Sequence, residues 1–251
     1  MYEIAVALSV FAVLVAASFV SLAISHRLPV HYAKEETHTI VRLAANIFVV
    51  TTSLVLGLLL NSAKNTYEAV DRNVHAFATD LVLFDRTLRH YGPEAAETRQ
   101  RLAAYLRQAI EGTWRTDGSP VLDDRAAERL LDDVGSSLAA IRPADVVRAD
   151  LWREAEANYQ GVVKRRWVLI EESEGTIPGP FIAMLTAWLA LIFASFGYHA
   201  PRNPIVVFTV VVSAAMVASA MYLILDMDVP FSGPIQISPA PLVRAQEQLN
   251  R

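Results

Sequence analysis

The chain has 251 residues, 53% of them apolar, with a formal net charge of −4 and no cysteine. Without cysteine it can hold no disulfide, no zinc–thiolate site and no cysteine nucleophile, and its acidic balance gives nucleic-acid binding no electrostatic support. Apolar residues gather towards both ends of the chain and charged residues in the middle, the pattern of a membrane domain split by a soluble insertion.

Residues 4–24 carry no charge, and a run of about 20 such residues crosses a bilayer. A cleaved signal peptide is the alternative, but Glu3 stands where a basic start would be needed and the apolar run is too long. Residues 25–42 read as a short connector holding Arg27, Pro29, Lys34, Glu35, Glu36 and Arg42. His26, His31 and His38 in the same stretch raise a metal site or a pH switch. Their spacings share no helical face, so they read as solvated loop histidines, and neither a metal nor a cofactor is expected.

Residues 43–63 form a second span. Beyond it, Tyr67, Val70, Val74, Phe77, Leu81, Phe84, Leu88 and Tyr91 recur at alternating steps of three and four, which places them on one stripe of a helix. No proline interrupts the run, and Gly92-Pro93 ends it. The expectation is one helix of roughly 70 Å over 43–91, leaving the membrane unbroken. Its stripe, Tyr67 to Leu88, is expected to be the seam of an oligomer.

Pro93 opens a new helix at a favoured position, with Leu102, Tyr105, Leu106 and Ala109 on its apolar face. Residues 112–120 have turn chemistry. Leu122, Leu130, Leu131, Val134, Leu138 and Ile141 support another helix, ended near Pro143. Asp145 sits where it would cap the next, which runs to about Glu174. Pro178-Gly179-Pro180 breaks the chain, residues 181–198 form a third span, and 205–225 form a fourth. The short turn between them makes the last two spans antiparallel neighbours.

The expected fold is therefore all-α: a polytopic membrane protein with four transmembrane helices and a helical soluble insertion between the second and third. Its parts are helices 1 and 2 in 1–62, the insertion in 63–177, helices 3 and 4 in 178–226, and a C-terminal tail in 227–251. Four spans put both termini and the insertion on one side. Arg27, Lys34, Arg42 and Arg202 lie on the opposite side, against Lys64, Arg72, Lys164, Arg165, Arg166, Arg244 and Arg251 on the insertion's side. That balance favours a cytoplasmic insertion.

Enzyme signatures are missing: there is no paired-histidine zinc helix, phosphate-binding Gly-rich loop or nucleophile elbow. The pairs Asp123-Asp124 and Asp132-Asp133 read as solvated surface charge, so no catalytic residue is assigned. The second span is more informative. Val50, Leu54 and Leu58 repeat every four residues on one narrow face, and Gly57 permits close backbone approach. Asn61, Lys64, Asn65, Glu68 and Arg72 follow on nearly the same face. An apolar ring above a polar vestibule is what a constriction gated by dewetting needs, provided several copies surround an axis. The plainer reading is a span facing lipid, with polar residues marking its end. Asn46 and Asn61 bracket the span and need partners. Asp226 and Asp228 close the fourth span, either facing water or pairing with a cation or basic side chain.

Two motifs resemble the bestrophin family of pentameric ion channels, in particular its small bacterial bestrophin-like members. Ser53-Leu-Val-Leu-Gly57-Leu-Leu-Leu-Asn61-Ser62-Ala63 is similar to the family's pore helix. Asp228-Val-Pro230-Phe231-Ser-Gly233, followed by Ile237, Pro241-Leu242 and Glu247, is similar to the segment after its last span. The order of spans agrees as well, and Asp85-Arg86 and Tyr91-Gly92-Pro93-Glu94 look typical of the bestrophin-like group. The resemblance implies a pentamer in the bacterial inner membrane, in contact with lipid and inorganic ions, with Val50, Leu54 and Leu58 in the neck. The sequence departs from the family where aromatic neck residues are replaced by Val and Leu. The acidic calcium-binding cluster is also reduced to Asp226 and Asp228, so calcium gating is not expected. A non-conducting sensor or scaffold, whose insertion binds a partner or ligand, is the rival from another class.

Overall fold

The computed structural model describes residues 2–25, 35–114, 125–173, 175, 177–198, 200–201 and 203–250. Eight α-helices are present among the described residues: α1 (Tyr2–Ser25), α2 (Glu35–Tyr91), α3 (Ala96–Thr113), α4 (Arg125–Ala140), α5 (Val146–Glu171), α6 (Gly179–Gly197), α7 (Pro204–Asp228) and α8 (Ala240–Leu249). A single 3-10 turn over Pro93–Ala95 joins α2 to α3, and no strand occurs among the described residues. Two compact units result, one of residues 1–65 and 176–228, the other of 66–175 and 229–251.

The first unit holds α1, α6, α7 and the first part of α2. All four of its helices are long and apolar enough to cross a membrane. α1 packs on both α6 and α7, and Val10 and Leu14 meet Leu185, Leu189, Phe193, Met221 and Leu225 in one apolar core. Close approach is fixed at Gly197, where an added Cβ would lie 2.2 Å from the Ser18 carbonyl oxygen. Only glycine lets α6 come this near to the α1 backbone. The expected connector over 25–42 is shorter than its sequence suggests. α2 already begins at Glu35, because neither Pro nor Gly stands between there and the apolar span to stop a helix. Of the three histidines, His26 and His31 lie outside the described residues.

The second unit is built around the rest of α2, with α3, α4, α5 and α8. Val70, Val74, Phe77, Leu81, Phe84, Leu88 and Tyr91 are all buried in its core, with Tyr67 packed at the edge. They meet Leu102, Tyr105 and Leu106 of α3, Leu131, Val134 and Leu138 of α4, and Val162 and Leu169 of α5. Burial of a side chain of this size stabilises by about 1.5–3 kcal/mol, so this stripe supplies much of what holds the unit together.

Beside the stripe runs a polar ladder. Asn73 Nδ2 donates to Glu172 at 2.6 Å, Arg165 Nε donates to Asp80 at 3.2 Å, and Asn158 Nδ2 donates to Thr87 Oγ1 at 3.0 Å. The α2 members advance by sevens as their partners Glu172, Arg165 and Asn158 retreat by sevens, so the two segments run antiparallel along this ladder. The strict three-four spacing of the apolar stripe keeps one seam facing its neighbour over this length.

Asp145 caps α5 as expected, its side chain accepting from the Arg148 amide at 2.7 Å. The tail is not a separate part, because Phe231, Ile237, Leu242, Ala245 and Leu249 belong to the second unit's core.

Candidate functional site

In the first unit, the two faces of α2 have opposite fates. Ala45, Thr52 and Ala63 are buried, and Val55, Leu56 and Leu59 pack against the core shared by α1, α6 and α7. On the other side Val50 is 71% exposed, Leu54 65% and Leu58 61%. Ile40, Leu43 and Ile47 extend this uncovered apolar row towards the start of the helix. Only 6% of the most apolar window of α2 is buried within the chain, against 28% for α6. The described residues therefore leave this side of the helix uncovered.

Gly57 faces the same open side, and an added Cβ there would meet nothing within 4 Å among the described residues. Asn61, Lys64 and Asn65 are also exposed on α2, as are Glu68 and Arg72 in the second unit. Arg72 pairs with Glu68 at 3.8 Å across one helical turn, a solvated contact worth well under about 1 kcal/mol. Asn46 is exposed and lines a cleft with Thr39, Arg42, Ser195 and Tyr198.

The expected oligomer seam requires correction. Val70, Val74, Phe77, Leu81, Phe84 and Leu88 are buried by the chain's own α3, α4 and α5, and Tyr67 packs against the same core. From Val70 to Leu88 these side chains have almost no surface left to offer a neighbouring copy, and Tyr67 alone keeps part of its own. Periodicity located the stripe, but it carries no information on whether the covering helices come from the same chain.

In the C-terminal motif Asp226, Asp228, Pro230 and Phe231 are buried and Gly233 is exposed. Asp226 accepts from the Tyr222 hydroxyl at 3.2 Å, and Asp228 accepts from the Ile177 amide at 3.1 Å. Asp226 and Asp228 both lie inside the first unit instead of facing water. In the second unit, the Phe231 ring stands edge-on to Trp114 at 5.6 Å, and the Pro230 carbonyl accepts from the Ile237 amide at 2.9 Å. Trp114 Nε1 donates to the Ile237 carbonyl at 2.6 Å. Gly233, with φ at 82°, turns the segment in a conformation open to glycine. Pro230, Phe231 and Gly233 thus shape a strap that seats α8.

Several residues to which the sequence assigned no structural role carry structure. Asp85 is 2% exposed and is held by Arg89 at 2.6 Å and Arg99 at 2.8 Å. The same arginines donate to the backbone carbonyls of Gln248 and Leu249 at 2.5 and 3.4 Å, tying α8 to α2 and α3. Arg148 reaches Glu94 and stands 6.0 Å over the Tyr91 ring. The backbone amide of Glu94 and then the Arg148 guanidinium hold the Glu94 carboxyl below its ordinary range. Arg165 and Arg166, weighed above as membrane-flanking charge, instead face Asp80 and the second unit's interior.

A profile of the bestrophin-like domain matches residues 12–242. The chain belongs to the bestrophin-like family. Its fold is similar to a crystal structure of a membrane protein carrying a leucine-to-alanine substitution, with a TM-score of 0.65 at 14% identity over 95% of each chain. It is also similar to a bacterial bestrophin homologue from Klebsiella pneumoniae carrying a tryptophan-to-alanine substitution, with a TM-score of 0.63 at 15% identity over 99% of this chain and 97% of that one. A proline-to-alanine variant described as a membrane protein gives a TM-score of 0.63 at 15% identity over 97% of both chains. A search of curated proteins finds no significant match. At these identities the neighbours speak for the bestrophin fold. The family match and the four apolar helices together make this a membrane protein.

Proposed function

We propose that this bestrophin-like protein is a subunit of an oligomeric ion channel in the bacterial inner membrane, with α2 of each copy facing a central axis. Val50, Leu54 and Leu58 form its apolar neck, with Gly57 between them. Asn61, Lys64, Asn65, Glu68 and Arg72 line the polar vestibule beyond. The observation that carries this reading is the uncovered row at Val50, Leu54 and Leu58 on a helix whose opposite side is packed. Membership of an ion-channel-type family supports it, and five is the copy number that the family resemblance implies. The insertion lies in the cytoplasm on the balance of basic residues.

A ring of valine and leucine carries no charge, so it acts on ion flow by drying out when narrow and wetting when wide. A hydroxyl in that ring lowers the cost of wetting. Purified protein in planar bilayers is expected to show discrete currents, and Leu54→Ser to raise the open probability. Absence of current across salt and pH, with a monomer in detergent, would overturn the channel. A monomer that still binds a ligand through its helical insertion would point to a sensor or scaffold.

A further inference from the structure

In the first unit, where the span of α2 begins and that of α6 ends, the two helices stand apart around a cleft of about 550 Å³. Thr39, Arg42 and Asn46 of α2 and Ser195 and Tyr198 of α6 give it a polar wall. Val41, Ala45 and Phe196 give it an apolar one. Arg42 and Asn46 are both exposed, and neither makes a hydrogen bond or an ion pair among the described residues. Being four residues apart, they share one flank of α2 and lie about 6 Å from each other along its axis.

Ile40, Leu43 and Ile47 stand among these polar residues in the chain and are themselves uncovered, so this stretch of α2 already meets hydrocarbon. A guanidinium and a carboxamide at that depth need partners. The polar layer of a bilayer is roughly 5–7 Å deep on each side, which matches the rise from Arg42 to Asn46. The negative charge abundant at that depth is lipid phosphate. The Arg42 fork suits two phosphate oxygens, and Asn46 Nδ2 donates to a third while its carbonyl accepts from a headgroup hydroxyl or ammonium. Water would hydrate the polar wall and leave Val41 and Phe196 against an aqueous filling. A phospholipid satisfies both walls, because its acyl chains begin where its headgroup ends. The volume agrees, since a single water needs only about 10–15 Å³ on the same measure.

We infer that the cleft between α2 and α6 is a binding site for one phospholipid headgroup, its phosphodiester held by the Arg42 guanidinium and the Asn46 carboxamide. The site rests on α2 and α6 being membrane spans and stands independently of conduction. A lipid seated there would bridge the start of α2 to the end of α6, which the chain itself leaves apart.

Full-length protein is stripped of lipid in detergent and titrated with phosphatidylglycerol, with diacylglycerol of the same chains, or with inorganic phosphate. Native mass spectrometry is expected to show one phosphatidylglycerol retained per subunit. Arg42→Gln should weaken that retention by about tenfold or more in apparent affinity, and Arg42→Lys, which keeps the charge but loses the fork, by less. Asn46→Leu should weaken it as well. Without lipid these variants are expected to melt with the wild type, because no contact within the chain is lost. Equal retention of diacylglycerol, equal binding of inorganic phosphate, or unchanged affinity in Arg42→Gln would overturn the inference. So would a crystal structure with a second copy, or another part of this chain, filling the cleft. A non-conducting protein that still holds the phospholipid through Arg42 supports it, and a conducting one that does not overturns it without touching the channel reading.

Discussion

Asp85 shows how much one side chain can hold. Its carboxylate is buried, and both of its arginine partners also reach the last carbonyls of α8. Asp85→Ala would leave Arg89 and Arg99 without their anchor and loosen α8. Thermal or denaturant unfolding is expected to show a loss of about 3 kcal/mol, within the range for breaking a buried pair. An unchanged midpoint would mean the cluster is ornamental. Tyr105 supplies a pH signature. Burial raises its folded-state ionisation above the ordinary value of 10.0, whereas an unfolded tyrosine gives up its proton near that value. Above it the unfolded chain binds fewer protons than the folded one, so stability is intact below about pH 10 and declines as pH rises further. Unfolding midpoints measured across that range should fall for the wild type and fall less for Tyr105→Phe. Asp85 stood out only as part of a family motif and Tyr105 only as part of an apolar face, and neither role was legible in the sequence. An aspartate beside an arginine on a charged helix ordinarily reads as solvated, and the pattern that marked Tyr105 as apolar-facing said nothing of its orphaned hydroxyl.

Helices were far more legible than their partners. Hydrophobic runs are a one-dimensional signal, so all four spans could be located from residue order. The stripe from Tyr67 to Tyr91 was equally plain, yet its assignment to an oligomer failed because a 3.5-residue period identifies a face and not its cover. The ladder of Asn73, Asp80 and Thr87 escaped notice because its α5 partners lie some seventy to a hundred positions away in the chain. Gly197 escaped for the same reason. Its closeness to Ser18 makes a prediction at this scale: Gly197→Ala forces α6 from α1 and should cost about 1–3 kcal/mol, read as a lower melting temperature in detergent. Gly57→Ala meets nothing among the described residues and should leave the melting temperature of the isolated chain nearly unchanged. A change in assembly from that same substitution would place a second copy against it.

For the whole molecule, residue order established that apolar helices flank a helical insertion, and the family match agrees. What it could not establish was whether Val50, Leu54 and Leu58 look towards water or acyl chains, because either environment accepts the same side chains. The chain leaves that row bare. The planar-bilayer experiment belongs at this scale, since a neck exists only where copies meet. The packed side of α2 cannot serve instead, as its residues are already spent on α1, α6 and α7.

The strap and α8 have a consequence for biosynthesis. Phe231, Ile237, Leu242 and Leu249 complete a hydrophobic interior whose other walls lie between residues 67 and 169. During translation those walls emerge first and must wait, unfinished, while α6 and α7 are made. A ribosome that stalls or terminates before codon 231 would release a protein with Tyr105 and Trp114 uncovered, a ready target for quality-control proteases. Completion of that interior thus acts as a late checkpoint on the nascent polypeptide.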